Sequence, residues 1–238
     1  LRLIYNGTSA NPDSSDLAHS YAVGIAPYNL EYNDPKYTGY TYDNGTDSFA
    51  KREVDTWYEN ALGDTIYDKM VNSGRFCSDS SGYKLASEYD LNPVLFGGDI
   101  EGIYLYSSWG ERLGGRVKNS FTVNTPTLSC PDTDETYGGS YRLKAGLITA
   151  DELALAGESL VVVGNSYLNP GDSEISYWTM TPAGFYDGYA HVLLENDILL
   201  NGNVRNDDNA VRPVINVTTD NGFASGDGTA ENPYIITE

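Results

Sequence analysis

Between Asp47 and Val71, apolar side chains recur at spacings of three to five: Phe49, Val54, Trp57, Tyr58, Leu62, Ile66 and Met70. That period lines one face of a helix. Asp47 or Ser48 supplies its N-cap. Gly63 weakens the helix and Asp64 is placed to cap a restart, so the pattern predicts an interruption at Leu62-Gly63-Asp64. A second helix is predicted over 149–157. There Thr149 and Glu152 have the spacing of a capping box, and Gly157 is placed to end the helix in the left-handed region.

Elsewhere short apolar runs alternate with clusters of Tyr, Gly, Asn and Asp, the pattern of short strands joined by specific turns. "SLVVVGNSYL" (159–168) reads as a buried strand, and "GDSEISYWTM" leads into the next. "YAHVLLEND", "ILLNGNV" and "AVRPVINV" continue the series, with "LLNGNV" and "NDDN" read as hairpin turns and "GDGTAENPYIITE" as a closing edge strand. No repeat and no long Pro/Gly/Ser linker divides the chain. A single α+β domain over 1–238 is therefore expected.

Composition narrows the partners. The chain has 34 Asp and Glu against 14 Lys and Arg, a net charge of −20. Such a surface repels phosphate backbones and anionic lipid, which excludes nucleic acid as a partner and argues against direct membrane contact. No run approaches the ~20 apolar residues of a membrane span. The start at "LRLIYNGTSA" reads as an ectodomain without an anchoring segment. Cys77 and Cys130 each sit in a polar, turn-rich setting, and an extracellular compartment would join them in a disulfide. With no C-x-x-C pair and only His19 and His191 as imidazoles, they do not read as metal ligands. The oxygen-rich runs "DNGTDS" (43–48) and "DTDE" (132–135) make calcium the one candidate cofactor, although neither has the EF-hand spacing.

Catalytic signals are missing from the sequence. There is no G-x-S-x-G, H-E-x-x-H, P-loop or dinucleotide fingerprint. So many carboxylates are present that some pair must fall at glycosidase distance by chance. The expected function is binding, not catalysis.

"GLITADELALAG", "YWTMTP", "VRPVINV" and "GDGTAENPYII", in this order, resemble the C-terminal module of many surface and pilin-like proteins of Gram-positive gut bacteria. Upstream, "RLIYNGTSA", "YTGYTY", "VDTWYENAL", "FCSDSSG" and "LSCP" are similar to the same group. That module resembles a C-type-lectin-like domain, as in formylglycine-generating-enzyme-like proteins and the variable proteins of diversity-generating retroelements. The resemblance implies a C-type-lectin-like fold, two main helices flanking a small, twisted, mostly antiparallel sheet with long loops, at the cell surface of a Gram-positive bacterium, with a ligand-binding or variable segment at about 177–217. It implies that Trp178, Thr179 and Pro182 frame the strand entering that segment, and that Val211, Arg212, Pro213, Val214 and Ile215 frame the returning one. Two functions stay open: an adhesin or diversified receptor for a protein or glycan, and a structural pilin-like subunit of a pilus or surface assembly, separated from its hydrophobic N-terminal helix. The oxidase relatives use a cysteine pair that Cys77 and Cys130 do not match.

The segment between those anchors is rich in Tyr, Gly, Asn and Asp, the chemistry of adaptable recognition surfaces. An exposed binding face is expected from Tyr186, Asp187, Tyr189, His191, Asn196, Asp197, Asn201, Asn203, Arg205, Asn206, Asp207 and Asp208. Tyr186, Tyr189 and Arg205 are its expected energetic anchors.

Overall fold

The computed structural model describes residues 1–7, 22–89, 101–113, 125–131, 137–158, 168, 176–196, 198–218, 223–226, 232 and 235–236. Strands dominate and helices are few, so the fold is α+β. The principal sheet is built on β11 (Tyr177–Tyr186) and β12 (Tyr189–Asn196). β13 (Ile198–Asn203) flanks β12, while β14 (Ala210–Val211) and then β2 (Gly24–Ile25) extend the other side of β11. β8 (Tyr104–Leu105) pairs with β11 at Gly184 and Phe185, and β7 (Lys84–Leu85) pairs with β8. All these pairings are antiparallel except β11 with β14, which meet in parallel at Tyr177 and Ala210. Pro182 lies in the middle of β11 without breaking it. Register shifts fall on both sides of it, so the residue that cannot donate sits where the ladder is already irregular.

A second sheet centres on β15 (Val214–Val217), which pairs with β1 (Arg2–Ile4), β10 (Ala145–Gly146) and β5 (Val71–Asn72). The expected single returning strand over 211–215 is thus divided. Pro213 breaks it, and its two halves serve different sheets. Arg212 stands at this joint, 1% exposed. A guanidinium there must find acceptors, and it does: Nη1 donates to Leu168 O at 2.9 Å, Nη2 to Asn6 Oδ1 at 3.2 Å and Nε to Tyr5 O at 3.3 Å. Its plane also covers the Tyr177 ring at 4.5 Å.

The first predicted helix is α1 (Phe49–Ala61), capped by Ser48, whose hydroxyl accepts from Lys51 N. It stops at Leu62 as expected, but Asp64 does not cap a restart. Asp64 takes a left-handed φ of 57°, and the chain resumes as a 3₁₀ turn, Ile66–Met70, with no side-chain cap. α2 (Ala150–Leu155) carries the complete capping box, and Gly157 follows it at φ 108°. α1 packs on β10 and β14, and α2 on β11 and the π-helical turn Ser108–Leu113. Trp178, Met180, Val192, Val211, Val54 and Leu153 belong to the shared core. Trp178 Nε1 donates to Ala26 O at 2.7 Å, fastening the N-terminal part of the chain to β11.

Three two-stranded ladders complete the described chain: β3 (Thr41–Tyr42) with β4 (Thr46–Asp47), β6 (Gly74–Ser78) with β9 (Gly139–Leu143), and β16 (Phe223–Ser225) with β17 (Ile235–Ile236). β17 falls within the closing strand that the sequence predicts. Cys77 on β6 is joined to Cys130 by a disulfide, with Cα atoms 5.5 Å apart. The strand expected at 159–168 lies outside the described residues except for Leu168, a buried turn residue. Among the described residues, no helix is long and apolar enough to cross a membrane.

Candidate functional site

β11 and β12 are joined by Asp187 and Gly188, with φ of 53° and 74°. Two consecutive left-handed residues make the type I′ turn that matches strand twist, and Asp-Gly is a favoured pair for it. This tight turn sets Tyr186 opposite Tyr189. Along β12, Tyr189 and His191 share one face by the two-residue strand period. His191 lies opposite Asn203 on β13, and Leu193 lies opposite Asn201. The register therefore brings Tyr186, Tyr189, His191, Asn201 and Asn203 to neighbouring positions.

Two clusters form from them. In the first, the Tyr186 ring lies flat over the His191 imidazole, with centroids 3.9 Å apart and planes at 12°. The Tyr186 hydroxyl accepts from Asn201 Nδ2 at 2.9 Å. In the second, Tyr189 stacks on Tyr32, with centroids 5.1 Å apart. Arg205 lies over the pair, its guanidinium carbon 4.3 Å from the Tyr32 centroid and 5.4 Å from that of Tyr189. Asn203 Oδ1 accepts from Arg205 N at 3.0 Å and Asn203 O from Asn206 N at 3.0 Å, so Asn203 shapes the bend that launches Arg205. Tyr32 O accepts from Ala190 N at 2.7 Å, which holds the 29–32 segment against β12.

The placements differ from residue to residue. Asp187, Arg205, Asn206, Asp207 and Asp208 are exposed, and Tyr186, Tyr189, Asn201 and Asn203 are half-buried. His191 is not on the surface as expected. It is 7% exposed beneath Tyr186, and among the described residues neither ring nitrogen has a hydrogen-bond partner. Burial drives its pKa down to about 4, so the ring is neutral at physiological pH. Tyr186 is consequently a cover over a buried imidazole and not a free anchor. Asp197 and the side chain of Asn196 lie outside the described residues.

The expected Asn201-Gly202 hairpin turn is absent. Both residues lie inside β13, and the glycine is explained by packing. A Cβ on Gly202 would stand 2.3 Å from Leu194 Cδ2 and 3.2 Å from Trp178 Cζ3. The "NDDN" run is no hairpin either; it lies in the connection that carries the chain from the edge strand β13 to β14 on the far side of β11. Tyr32 is the residue that the sequence reading missed. Its local sequence, "LEYND" (30–34), has the composition of the C-terminal segment but lies far from it in the chain.

Asp43, Asn44 and Gly45 of the oxygen-rich 43–48 run all take left-handed φ values, which explains them as turn residues. The run's carboxylates face lysines: Asp43 is 3.4 Å from Lys36 Nζ and Asp47 is 3.2 Å from Lys51 Nζ. The second run, 132–135, lies outside the described residues. Among the described residues, no three His, Cys, Asp or Glu side chains gather in a way that could hold a cation. In comparisons with known proteins, no family model, no curated protein and no solved structure matches this chain.

Proposed function

We propose that the chain is a cell-surface recognition module that binds a protein or glycan through the face around Tyr32, Tyr189 and Arg205, with a C-type-lectin-like arrangement of its sheets and helices. The observation that carries this reading is the pre-assembled Tyr32–Tyr189–Arg205 stack. Tyr and Arg dominate recognition energy at interfaces. Side chains already immobilised before binding lose less entropy when a partner arrives. Exposed Asn206, Asp207 and Asp208 beside the stack supply hydrogen-bonding groups with little bulk. On this reading the chain acts by binding, and no residue is assigned a catalytic role.

The test is an array of glycans and extracellular proteins probed with the wild type and with a Tyr32→Ala, Tyr189→Ala, Arg205→Ala triple variant. Tyr186 is left intact because removing it would uncover His191 and confound binding with folding. Near-UV circular dichroism checks that the variant retains its packing. The variant should lose the ligands that the wild type captures; equal capture by both proteins would place recognition elsewhere.

A further inference from the structure

β13 is the outermost strand on its side of the principal sheet. Its residues, Ile198–Asn203, pair with β12 in one unbroken register. Open sheet edges are ordinarily guarded by a charge, a proline or a bulge. This edge has none of them: its sequence, "ILLNGN", is uncharged and free of proline, and its ladder has no register shift.

The phase of that ladder decides which backbone groups stay open. Val204 N donates to Ala190 O at 3.0 Å. Bonding alternates along an antiparallel pair, so Gly202 and Leu200 also turn their N–H and C=O toward β12. Leu199, Asn201 and Asn203 therefore turn theirs away from the sheet. Asn203 O is taken by Asn206 N at 3.0 Å. Among the described residues, the N–H groups of Leu199, Asn201 and Asn203 and the C=O groups of Leu199 and Asn201 have no partner. Donors and acceptors left open on alternate residues recur roughly every 7 Å, the repeat of another strand's backbone.

The neighbours of the edge narrow what fits it. Asn29 N donates to Val204 O at 3.0 Å and Ala190 N to Tyr32 O at 2.7 Å, so the 29–32 segment continues alongside β12 where β13 stops. That segment carries Leu30, 56% exposed, into the vicinity of the Tyr32–Tyr189–Arg205 stack. An aliphatic side chain left in water at the end of an open edge suits an apolar side chain of a polypeptide, not the hydroxyls of a sugar. Because Asn203 O points outward, the bend that Asn206 N closes on it brings Asp207 and Asp208 to the same outer side. Both are exposed, and among the described residues neither is in an ion pair. A second copy would bring another charge of −20 against them, so the charge selects a basic, foreign segment.

We propose that the partner of this face is a basic polypeptide segment that binds in extended form, as a strand added to the outer edge of β13. The inference rests on the recognition role of the Tyr32–Tyr189–Arg205 stack and names the class of ligand. The segment's backbone pairs with Leu199, Asn201 and Asn203, and its cations meet Asp207 and Asp208. One of its apolar side chains covers Leu30, and Arg205 donates to one of its carbonyls.

The test selects binders of the wild type from a random heptapeptide display library at about 0.15 M salt, where screening reaches ~8 Å. Recovered peptides should be enriched in Lys and Arg together with β-branched residues. N-methylation of such a peptide should weaken binding at least about tenfold at alternate positions, those that donate to the edge, and stay within about twofold at the positions between them. In amide exchange, Asn201 and Asn203 N–H should gain protection when the peptide binds. Leu199→Pro removes one outward N–H, leaves the bonds to β12, and should weaken the same peptide at least about tenfold. The methylated peptides keep the test decisive if that variant does not fold. Recovery of no peptide or of acidic ones, binding indifferent to where the methyl group sits, or a wild-type dimer that Leu199→Pro dissolves would overturn the proposal. If the array still finds ligands that the Tyr32→Ala, Tyr189→Ala, Arg205→Ala variant loses, the recognition face stands and only its strand-binding mode falls.

Discussion

Gly202→Ala tests directly whether the glycine of Asn201-Gly202 serves a turn or the packing beneath it. The added methyl would stand 2.3 Å from Leu194 Cδ2 and 3.2 Å from Trp178 Cζ3. The Leu194 methyl ends a flexible side chain, yet the residue is 6% exposed and has little room to rotate. Trp178 cannot give way: its Nε1 donates to Ala26 O at 2.7 Å, and its ring meets Tyr28 edge-on at 5.7 Å. Overpacking of this kind costs about 1–3 kcal/mol, against a gain of about 0.4–1 kcal/mol from a stiffer unfolded chain. The expected net loss is roughly 1–2 kcal/mol, a Tm decrease of about 2–8 °C for a domain of this size.

A double-mutant cycle makes the cause visible in urea unfolding. Leu194→Ala alone should cost about 2–5 kcal/mol. In that background Gly202→Ala should cost less, because the nearer colliding group is gone and only the 3.2 Å approach to Trp178 remains, giving a coupling energy of about 1 kcal/mol. Gly202→Asn separates the readings further, since a left-handed turn tolerates Asn and a packed strand does not. A neutral or stabilising Gly202→Ala, or strict additivity with Leu194→Ala, would refute the packing argument.

Three other outcomes follow from the same contacts. His191 has a folded pKa near 4 against an ordinary 6.5, so between those values the unfolded chain binds a proton that the folded chain refuses, and stability falls as pH drops from 6.5 toward 4. The loss is about 3 kcal/mol at most; urea unfolding at pH 7, 5.5 and 4.5 should show a steeper decline for wild type than for His191→Phe, and parallel declines would contradict it. Reducing the Cys77–Cys130 bridge, whose residues are 53 apart, should cost about 4 kcal/mol by chain entropy, read as a lower urea midpoint with reductant than without. Ser48→Ala removes the acceptor for Lys51 N and should cost about 1 kcal/mol, while Asp64→Ala, which removes no cap, should show no capping loss.

Both helices were legible in the sequence because their signals are local. The Ser48 cap and the Thr149–Glu152 box need only four consecutive residues to be recognised. The breaks at Gly63 and Gly157 were legible for the same reason. What failed was the part of the pattern whose meaning depends on distant residues. Asn-Gly at 201–202 is a strong turn signal until Trp178 is known to lie beneath it, and Val-Arg-Pro-Val reads as one strand until its halves are seen to join different sheets.

The candidate site divides along the same line. Tyr, Asn and Asp in 185–209 announce a polar, aromatic surface by composition, but composition cannot say which ring is free and which is a cover. That is decided by register. His191 shares a β12 face with Tyr189, two residue pairs in from the Tyr186–Tyr189 pair that closes the Asp187-Gly188 turn, and Tyr186 lies over it. Tyr189 escapes the same role because Tyr32 arrives on its other flank, positioned by the bond from Ala190 N to Tyr32 O. Arg205 then has two rings to rest on and, among the described residues, no carboxylate within ion-pair distance, although Asp207 and Asp208 follow it in the chain. A guanidinium held by its flat face keeps its donor edge free. In a chain of net charge −20, an arginine fixed in place and left unpaired by carboxylates is the group on this face with the most to gain from a partner.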